Sequence, residues 1–292
     1  MPVAMQGCNA HGAVMSQTTS HPASLVVLFS GTGKTGRRIA RRLAARGIAF
    51  RVAARSTAPA FDWNDDVTWA AALDGATAIY LAYPPDLSAP TAAAHLAALA
   101  RRAVAAGVGR IVLLSGRGEP SVLPAEQAVR DAGVPCTILR CAWFAQNFSE
   151  SFLRDPVLAG DLAFPAGDTA EPFLDAEDIA EVAVAALTEP GHAGQIYELT
   201  GPRLVSFAEV ARALSDALGR PVRYTPVPAA VYADALAPHL GAETAHGLAS
   251  LFADLLDGHN AHITDGVRRV LGRPARDFRD YLGAAVAAGD FA

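Results

Sequence analysis

The residues with the clearest chemical potential form a glycine-rich stretch near the amino end, Ser30-Gly31-Thr32-Gly33-Lys34-Thr35-Gly36. An apolar run at residues 25–29 precedes this stretch, and a helical pattern follows it. Strand, glycine turn and helix in this order are typical of the phosphate-binding start of a dinucleotide fold, where the helix N-terminus carries partial positive charge. The pattern therefore predicts a dinucleotide site whose first cofactor-binding residues are Gly31, Thr32, Gly33, Lys34, Thr35 and Gly36.

Residues 31–35 of this stretch also match half of a Walker A loop, which binds nucleoside triphosphates. That motif needs a glycine five residues before its Gly-Lys pair, and Leu28 occupies this position. No strand ending in a magnesium-binding aspartate stands out in the sequence. We therefore reject the triphosphate alternative. A glycine turn without any ligand is disfavoured because residues further along the chain also fit a nucleotide.

The second predicted strand, residues 50–54, ends at Arg55-Ser56. In NAD-specific folds an acidic residue about 20 positions beyond the glycine loop binds the ribose hydroxyls. An arginine at that place pairs with the 2′-phosphate of NADP, which a carboxylate would repel. We expect Arg55 and Ser56 to bind the cofactor, with Lys34, Arg37 and Arg38 adding positive charge to the same pocket. NADP(H) is therefore favoured over NAD, although a solvated surface arginine is the alternative interpretation.

Two further strand ends predict contacts with the cofactor, because the carboxyl ends of parallel strands face the ligand crevice, and a polar segment after the second strand adds a third candidate. Asp62 and Trp63 follow the second strand. The Asp62 carboxylate either accepts a hydrogen bond from an adenine amino group or stabilises a local turn. Ala82, Tyr83 and Pro84 end the strand at residues 78–82 and are expected along the cofactor. Ser115 ends the strand at residues 110–114 and is expected to contact either the cofactor or a substrate oxygen.

Strands and helices alternate up to residue 140, which predicts an α/β fold of the Rossmann type with a doubly wound parallel sheet. We expect residues 1–24 to be a disordered tail, 25–150 an NADP-binding domain, and 151–292 a smaller C-terminal α/β lobe that shapes the substrate site and is partly interleaved with the first. That lobe has a capping box at Ser206 and Glu209, and predicted helix breaks at Pro238, Gly258, Gly272 and Pro274. Several aromatic residues lie at the start of the lobe. They either line a binding cleft or fill a core between the two lobes. These residues are Trp143, Phe144, Phe148 and Phe152.

Composition narrows the classes of function. The 292 residues are 51% hydrophobic with a net charge of −5, which disfavours binding to nucleic acid or to membrane surfaces. No apolar run has transmembrane length, and the first residues lack the pattern of a signal peptide. Cys136 and Cys141 lie on opposite faces of one predicted strand and cannot form a disulfide, so a reducing, cytoplasmic location is expected. No His/Cys cluster has the spacing of a metal site. The oligomeric state stays open between monomer and homodimer.

From about residue 25 to residue 292 the chain resembles the NmrA-like family of atypical short-chain dehydrogenases, which includes NAD(P)H:quinone oxidoreductase-like enzymes and nucleotide-sensing regulators. The resemblance is carried by the glycine loop and by several separate pieces in the same order. These pieces are Arg55-Ser56, Asp62-Trp63, residues 137–140 with Trp143-Phe144 and Asn147-Phe148, residues 173–180, Asp257-Gly258-His259-Asn260 and residues 271–274.

The resemblance implies an NADP(H) cofactor and an aromatic-walled substrate site, and it also shows two departures from the family pattern. The expected substrate-binding residues are Trp143, Phe144, Asn147, Phe148 and Phe173. Ser30 stands at the first glycine of the family's G-x-x-G-x-x-G loop, and a serine fits there if its backbone is not left-handed. Cys141 and Ala142, expected beside the cofactor, replace a frequent Pro-Gly.

The usual catalytic dyad of short-chain dehydrogenases, a tyrosine with a lysine four residues later, is missing from the chain. Lys34 is the only lysine, and position 30 is a serine. Tyr83 and Ser115 remain as weak candidates for proton donors. An acceptor that spreads charge over its own π-system needs a strong acid least, so we predict a reductase of quinone-like or conjugated aromatic molecules. The alternatives are a non-catalytic NADP(H) sensor that binds a partner protein, and a tailoring enzyme that uses the cofactor for another rearrangement.

Overall fold

The computed structural model describes residues 24–292, so the predicted tail, except for Ser24, lies outside the described residues. The strands are β1 (Val26–Phe29), β2 (Phe50–Ala53), β3 (Ala78–Leu81), β4 (Arg110–Gly116), β5 (Cys136–Cys141), β6 (Asp161–Phe164), β7 (Ala170–Glu171), β8 (Ile196–Leu199), β9 (Val205–Ser206) and β10 (Arg223–Pro226). The helices are α1 (Lys34–Ala45), α2 (Trp69–Leu73), α3 (Ala92–Ala105), α4 (Leu123–Arg130), α5 (Asn147–Glu150), α6 (Arg154–Ala159), α7 (Ala176–Thr188), α8 (Phe207–Leu218), α9 (Ala229–Leu240), α10 (Ala242–Leu255), α11 (Gly266–Leu271) and α12 (Phe278–Ala288).

Six strands form one parallel sheet in the order β2-β1-β3-β4-β5-β8. Strands β1 and β3 are buried along their whole length, since helices cover both faces of a parallel sheet. All four residues of β1 are fully buried. The strand order reverses beside β1, which creates the crevice where doubly wound sheets bind ligands. The predicted Rossmann-type fold is therefore confirmed.

The two faces of the sheet have separate cores. Helices α2, α3 and α4 cover one face, where Trp69 and Leu96 are buried. Helices α1 and α7 cover the other, where Ile39 and Ile179 are buried. Cys136 and Cys141 belong to different cores and are both free, as their spacing in β5 predicted.

Most of the remaining elements form a smaller lobe with its own core, whereas α11 packs on α7 and β8 of the sheet layer. β6 pairs with β10 in parallel, β7 pairs with β9 in antiparallel, and helices α8, α10 and α12 contribute to an aromatic core. Helix α7 and strand β8 follow residue 150 and nevertheless complete the main sheet layer, so the lobe and the sheet alternate along the chain. No helix among residues 24–292 is long and apolar enough to cross a membrane.

Local signals placed most helix ends correctly. The capping box of Ser206 and Glu209 is present at the start of α8, and Asp175 caps α7. The predicted break at Pro238 is wrong, because α9 continues to Leu240 and ends at Gly241. Pro238 is exposed in the last turn, where solvent can satisfy the carbonyl that a proline leaves without a donor.

Candidate functional site

A cavity of about 700 Å³ lies at the carboxyl ends of β1, β2 and β3. Most of the residues that the sequence placed at these strand ends line it together. They are Ser30, Thr32, Gly33, Arg55, Asp62, Trp63, Tyr83 and Pro84. The cavity therefore occupies the crevice in which an open parallel sheet binds a dinucleotide.

The glycines of the loop are required by close packing. A Cβ on Gly36 would lie 2.5 Å from the Cα of Gly31, and a Cβ on Gly31 would lie 2.8 Å from Cγ1 of Val52. Helix α1 starts after Gly33, with no capping side chain among the described residues and no acidic residue in its first turn. Its first backbone amides are therefore available to an anion, as a pyrophosphate site requires.

Ser30 adopts a backbone conformation that its sequence position was not expected to have. Its φ of +60° is left-handed, and within residues 24–292 no other non-glycine residue has a positive φ. The carbonyl of Ser30 accepts a hydrogen bond from the amide of Gly33, 3.0 Å away, which closes the turn. The expectation of an ordinary backbone is wrong here, because the turn needs the left-handed conformation that the family's glycine adopts without strain.

Arg55 is exposed at the wall of the cavity and makes no ion pair with the described residues. Arg37 and Arg38, expected beside it, are engaged elsewhere. Both pair with Glu150, and Arg38 also donates to Glu177 at 3.0 Å. The expectation that they add charge to the pocket is therefore wrong, and Arg55 is the cation that this wall presents.

Lys34 also points to a specific partner, since its Nζ donates to Oδ1 of Asn147 at 3.1 Å. Burial lowers the pKa of Lys34, and Glu150 partly opposes this effect. Thr35 is buried beneath the loop, where its hydroxyl accepts from Tyr80 at 2.8 Å. Neither Lys34 nor Thr35 lines the cavity.

Aromatic side chains form part of the wall of the cavity. The ring centroid of Trp63 lies 4.8 Å from Tyr83 and 5.0 Å from Phe61. The Tyr83 hydroxyl is within 2.8 Å of Nδ1 of His95 and 3.0 Å of the Thr91 hydroxyl. Tyr83 is thus held in the wall of the cavity beside Trp63.

Asp62 has the turn role that was left open for its position, and its contact with an adenine amino group stays a prediction. Its Oδ1 accepts from the amide of Asn64 at 2.9 Å, which is a turn contact. The residue also lines the cavity.

Ser115 does not reach the cavity. It is buried in β4, and its hydroxyl donates to Oε1 of Glu126 at 2.6 Å. Glu126 is also paired with Arg140, which lies opposite Ser115 in the sheet register. These contacts lock α4 onto β4 and β5, and the contact of Ser115 with the cofactor or a substrate oxygen stays a prediction.

Cys141 and Ala142 are likewise buried in the sheet layer. The carbonyl of Cys141 accepts from the amide of Arg117, and the amide of Ala142 donates to Leu199. Burial raises the pKa of the Cys141 thiol. Ser56 and Ala82 also lie outside the lining of the cavity.

The predicted substrate residues separate into two groups. Phe148 and Phe173 are buried in the core of the lobe, where their ring centroids are 5.3 Å apart. Trp143, Phe144 and Asn147 keep partly exposed surface at the start of the lobe. Trp143 nevertheless packs on Phe164, Phe207 and Phe252, and Phe152 packs on the last of these. Core filling therefore accounts for most of this aromatic cluster.

Phe61 and His95 are among the contributors to the cavity that were not predicted. Phe61 lines the cavity directly beside Asp62. The sequence feature that could have indicated this is an apolar ring next to a polar turn. His95 supports Tyr83 from α3, and nothing in the local sequence marks that role.

Comparisons with known proteins give consistent results. A family model described as the NmrA-like family matches residues 123–266. The chain is 32% identical to the NAD(P)H azoreductase of Xenophilus azovorans, with 90% of this chain and 99% of the relative covered. It is 32% identical to a (4-alkanoyl-5-oxo-2,5-dihydrofuran-3-yl)methyl phosphate reductase of Streptomyces griseus, with 88% and 96% covered. Its fold matches the crystal structure of Citrobacter sp. triphenylmethane reductase complexed with NADP(H), with a TM-score of 0.76, 20% identity, and 89% and 99% covered.

Proposed function

The chain belongs to the NmrA-like family of atypical short-chain dehydrogenases, and from this premise we propose that it is an NADPH-dependent reductase of quinone-like or other conjugated aromatic molecules. The observation that carries the proposal is the shared cavity of the glycine loop, Arg55 and the aromatic wall. The relatives at 32% identity carry the names of reductases, which supports the same class of reaction.

The residues present fit an NADP(H) cofactor. The uncapped start of α1 leaves backbone amides available to a pyrophosphate, and the close packing of Gly31 against Gly36 holds the loop on the helix. Arg55 offers a guanidinium for the 2′-phosphate, and Trp63 and Tyr83 offer ring surface to the adenosine half. When bound, the reduced cofactor supplies a hydride.

The site lacks the tyrosine and lysine that usually supply the proton in short-chain dehydrogenases, and this determines which acceptors fit. Lys34 is the only lysine in the sequence, and its side chain is bonded to Asn147. It therefore does not act on a proton-donating tyrosine as the lysine of the usual dyad does. The hydroxyls of Tyr83 and Ser115 are both bonded inside the protein. An acceptor that delocalises charge depends least on a strong acid, and azo, quinone and conjugated carbonyl compounds share that property. The names of the two relatives, an azoreductase and an unsaturated furanone reductase, support this class.

Nucleotide binding tests the first half of the proposal. Calorimetry should show NADPH binding more tightly than NADH, and Arg55→Asp should remove most of that preference, roughly 10-fold or more for one charge-assisted phosphate contact. Arg101→Asp, an exposed arginine on α3, controls for the change in net charge. Equal binding of NADPH by Arg55→Asp and the wild type would contradict the role of Arg55.

Turnover tests the second half. Stopped-flow absorbance should show NADPH consumption with soluble quinones and azo dyes, and little with unconjugated ketones. Tight NADPH binding without consumption by any acceptor would instead favour the nucleotide sensor.

A further inference from the structure

A second cavity, of about 400 Å³, lies in the C-terminal lobe between β9 and the first turns of α8 and α12. It shares no lining residue with the cavity that contains Arg55. Its volume falls within the range of about 300–1,000 Å³ that small-molecule sites occupy. The proposed reduction does not use this space.

Three arginines line this cavity, and two of them have no ionic partner among residues 24–292. The side chains of Arg212 and Arg279 are exposed and make no hydrogen bond with the described residues. Arg203 donates from Nε to Oδ2 of Asp277 at 2.7 Å, and its side chain is 40% exposed. The three guanidiniums therefore keep N–H donors that a ligand can use.

The two carboxylates in the lining are bonded to the backbone at helix ends. Asp277 caps α12, where its Oδ1 accepts from the amide of Arg279 at 2.9 Å. Glu209 belongs to the capping box of α8 and accepts from the amide of Ser206 at 2.8 Å. Three arginines against two acids leave the lining with one net positive charge, in a chain whose net charge is −5.

The floor of the cavity is apolar. Val205, Ala213 and Phe278 line it and are buried. The ring of Phe278 packs on Phe148 and Phe173, with centroids 5.6 Å from each. The cavity therefore combines a floor that belongs to the aromatic core of the lobe with exposed guanidiniums.

We propose that this cavity binds a small phosphate monoester that carries an apolar body. A phosphate monoester has a charge of about −1.5 to −2 at neutral pH, which matches the two guanidiniums that lack a carboxylate partner. Arginine binds phosphate through two parallel N–H···O bonds, so Arg212 and Arg279 can hold the phosphate between α8 and α12. Arg203, held by Asp277, adds further donors, and the apolar body packs on the buried floor.

Two simpler anions match the cavity less well. A carboxylate presents two oxygens to an arginine but carries one charge, so it leaves one of the two guanidiniums without a counterion. Inorganic phosphate has the charge but no apolar part to bury on Phe278 and Val205.

Isothermal titration calorimetry of the full chain with phenyl phosphate tests the site. The wild type should bind phenyl phosphate more tightly than benzoate or inorganic phosphate. Arg212→Gln and Arg279→Gln should each weaken the binding about 10-fold, the size of one charge-assisted contact. The variant with both substitutions should lose measurable binding.

Matched variants separate this site from general attraction of anions. Arg101→Gln combined with Arg130→Gln removes two exposed arginines of α3 and α4, and this variant should bind phenyl phosphate as the wild type does. Arg55→Gln should also leave the affinity unchanged, because Arg55 lines the other cavity. Phenyl phosphate bound at the glycine loop instead would still bind after both Arg212 and Arg279 are replaced.

Two results would overturn the proposal: no saturable binding of phenyl phosphate by the wild type, or equal binding by the wild type and the variant that lacks Arg212 and Arg279. Tighter binding of benzoate would overturn the assignment to phosphate monoesters, and equal binding of inorganic phosphate would overturn the role of the apolar floor. These measurements contain no NADPH, so their outcome is independent of whether the protein is a reductase.

Discussion

Ser30 holds the glycine loop in a conformation that costs an L-residue free energy. Its φ of +60° brings Cβ close to the following carbonyl, a penalty of about 1–2 kcal/mol that glycine does not have. Glycine loses about 0.5–1 kcal/mol more conformational entropy on folding, so part of the gain from replacing Ser30 is cancelled. The balance still favours glycine.

We therefore expect Ser30→Gly to raise the free energy of unfolding by about 0.5–1 kcal/mol. Urea unfolding followed by circular dichroism measures the difference. Ser30→Ala is the matched control, because it removes the hydroxyl and keeps the strained Cβ. A stabilisation of equal size in Ser30→Ala would assign the effect to the hydroxyl instead of the backbone.

Residues adjacent to strand ends were the part of the site that the sequence revealed. Gly33, Arg55 and Tyr83 each follow a strand closely, so the parallel topology brings them together. Trp63 reaches the cavity from the longer connection between β2 and α2. The engagement of Arg37 and Arg38 was not visible, because their partner Glu150 is more than 100 residues away in the chain.

Salt bridges connect helix α7 both to α1 of the sheet layer and to the C-terminal region. Near its start, Glu177 pairs with arginines of α1, including Arg42 at 2.5 Å. One residue later Asp178, fully buried, pairs with Arg273 at 2.8 Å and with Arg276, and it accepts from the amide of Arg276 at 2.7 Å. The segment before α12 is thus anchored by a buried carboxylate.

Removing that carboxylate should destabilise the protein strongly. We expect Asp178→Asn to lower the free energy of unfolding by about 3 kcal/mol, because Arg273 and Arg276 would lose a buried partner. Thermal unfolding measures the change. Glu189→Gln, whose exposed pair with Arg46 spans 3.7 Å, should change stability by less than about 0.5 kcal/mol. Similar losses in both variants would refute the anchoring role.

At the scale of the whole molecule, the sheet was predictable and the lobe was less so. Strands alternating with helices fix a parallel sheet, since each crossover needs a covering helix. The aromatic cluster near Trp143 fits a cleft wall or a core by composition alone. Phe148 and Phe173 became core residues because Phe207 of α8 and Phe278 of α12 pack on them, and such distant packing has no local signal.

The dependence of stability on pH contains two opposing contributions. Arginine partners hold the pKa values of Glu150, Glu177 and Glu181 below the ordinary 4.5, so their stabilisation is present above that pH and is lost in acid. Burial raises the pKa of Glu171 to about 7, so its contribution is fully present below pH 4.5 and declines as the pH rises to 7.

Glu171→Gln should therefore gain stability relative to the wild type as the pH rises from 4.5 to 7, by about 3 kcal/mol for a shift of this size. Both proteins should lose stability alike below pH 4.5, since the arginine-paired glutamates are unchanged. Urea unfolding at half-unit steps of pH measures the difference, with Glu243→Gln as the control for an exposed glutamate. A constant difference across this range would mean that Glu171 ionises at its ordinary pKa and is solvated in the folded protein.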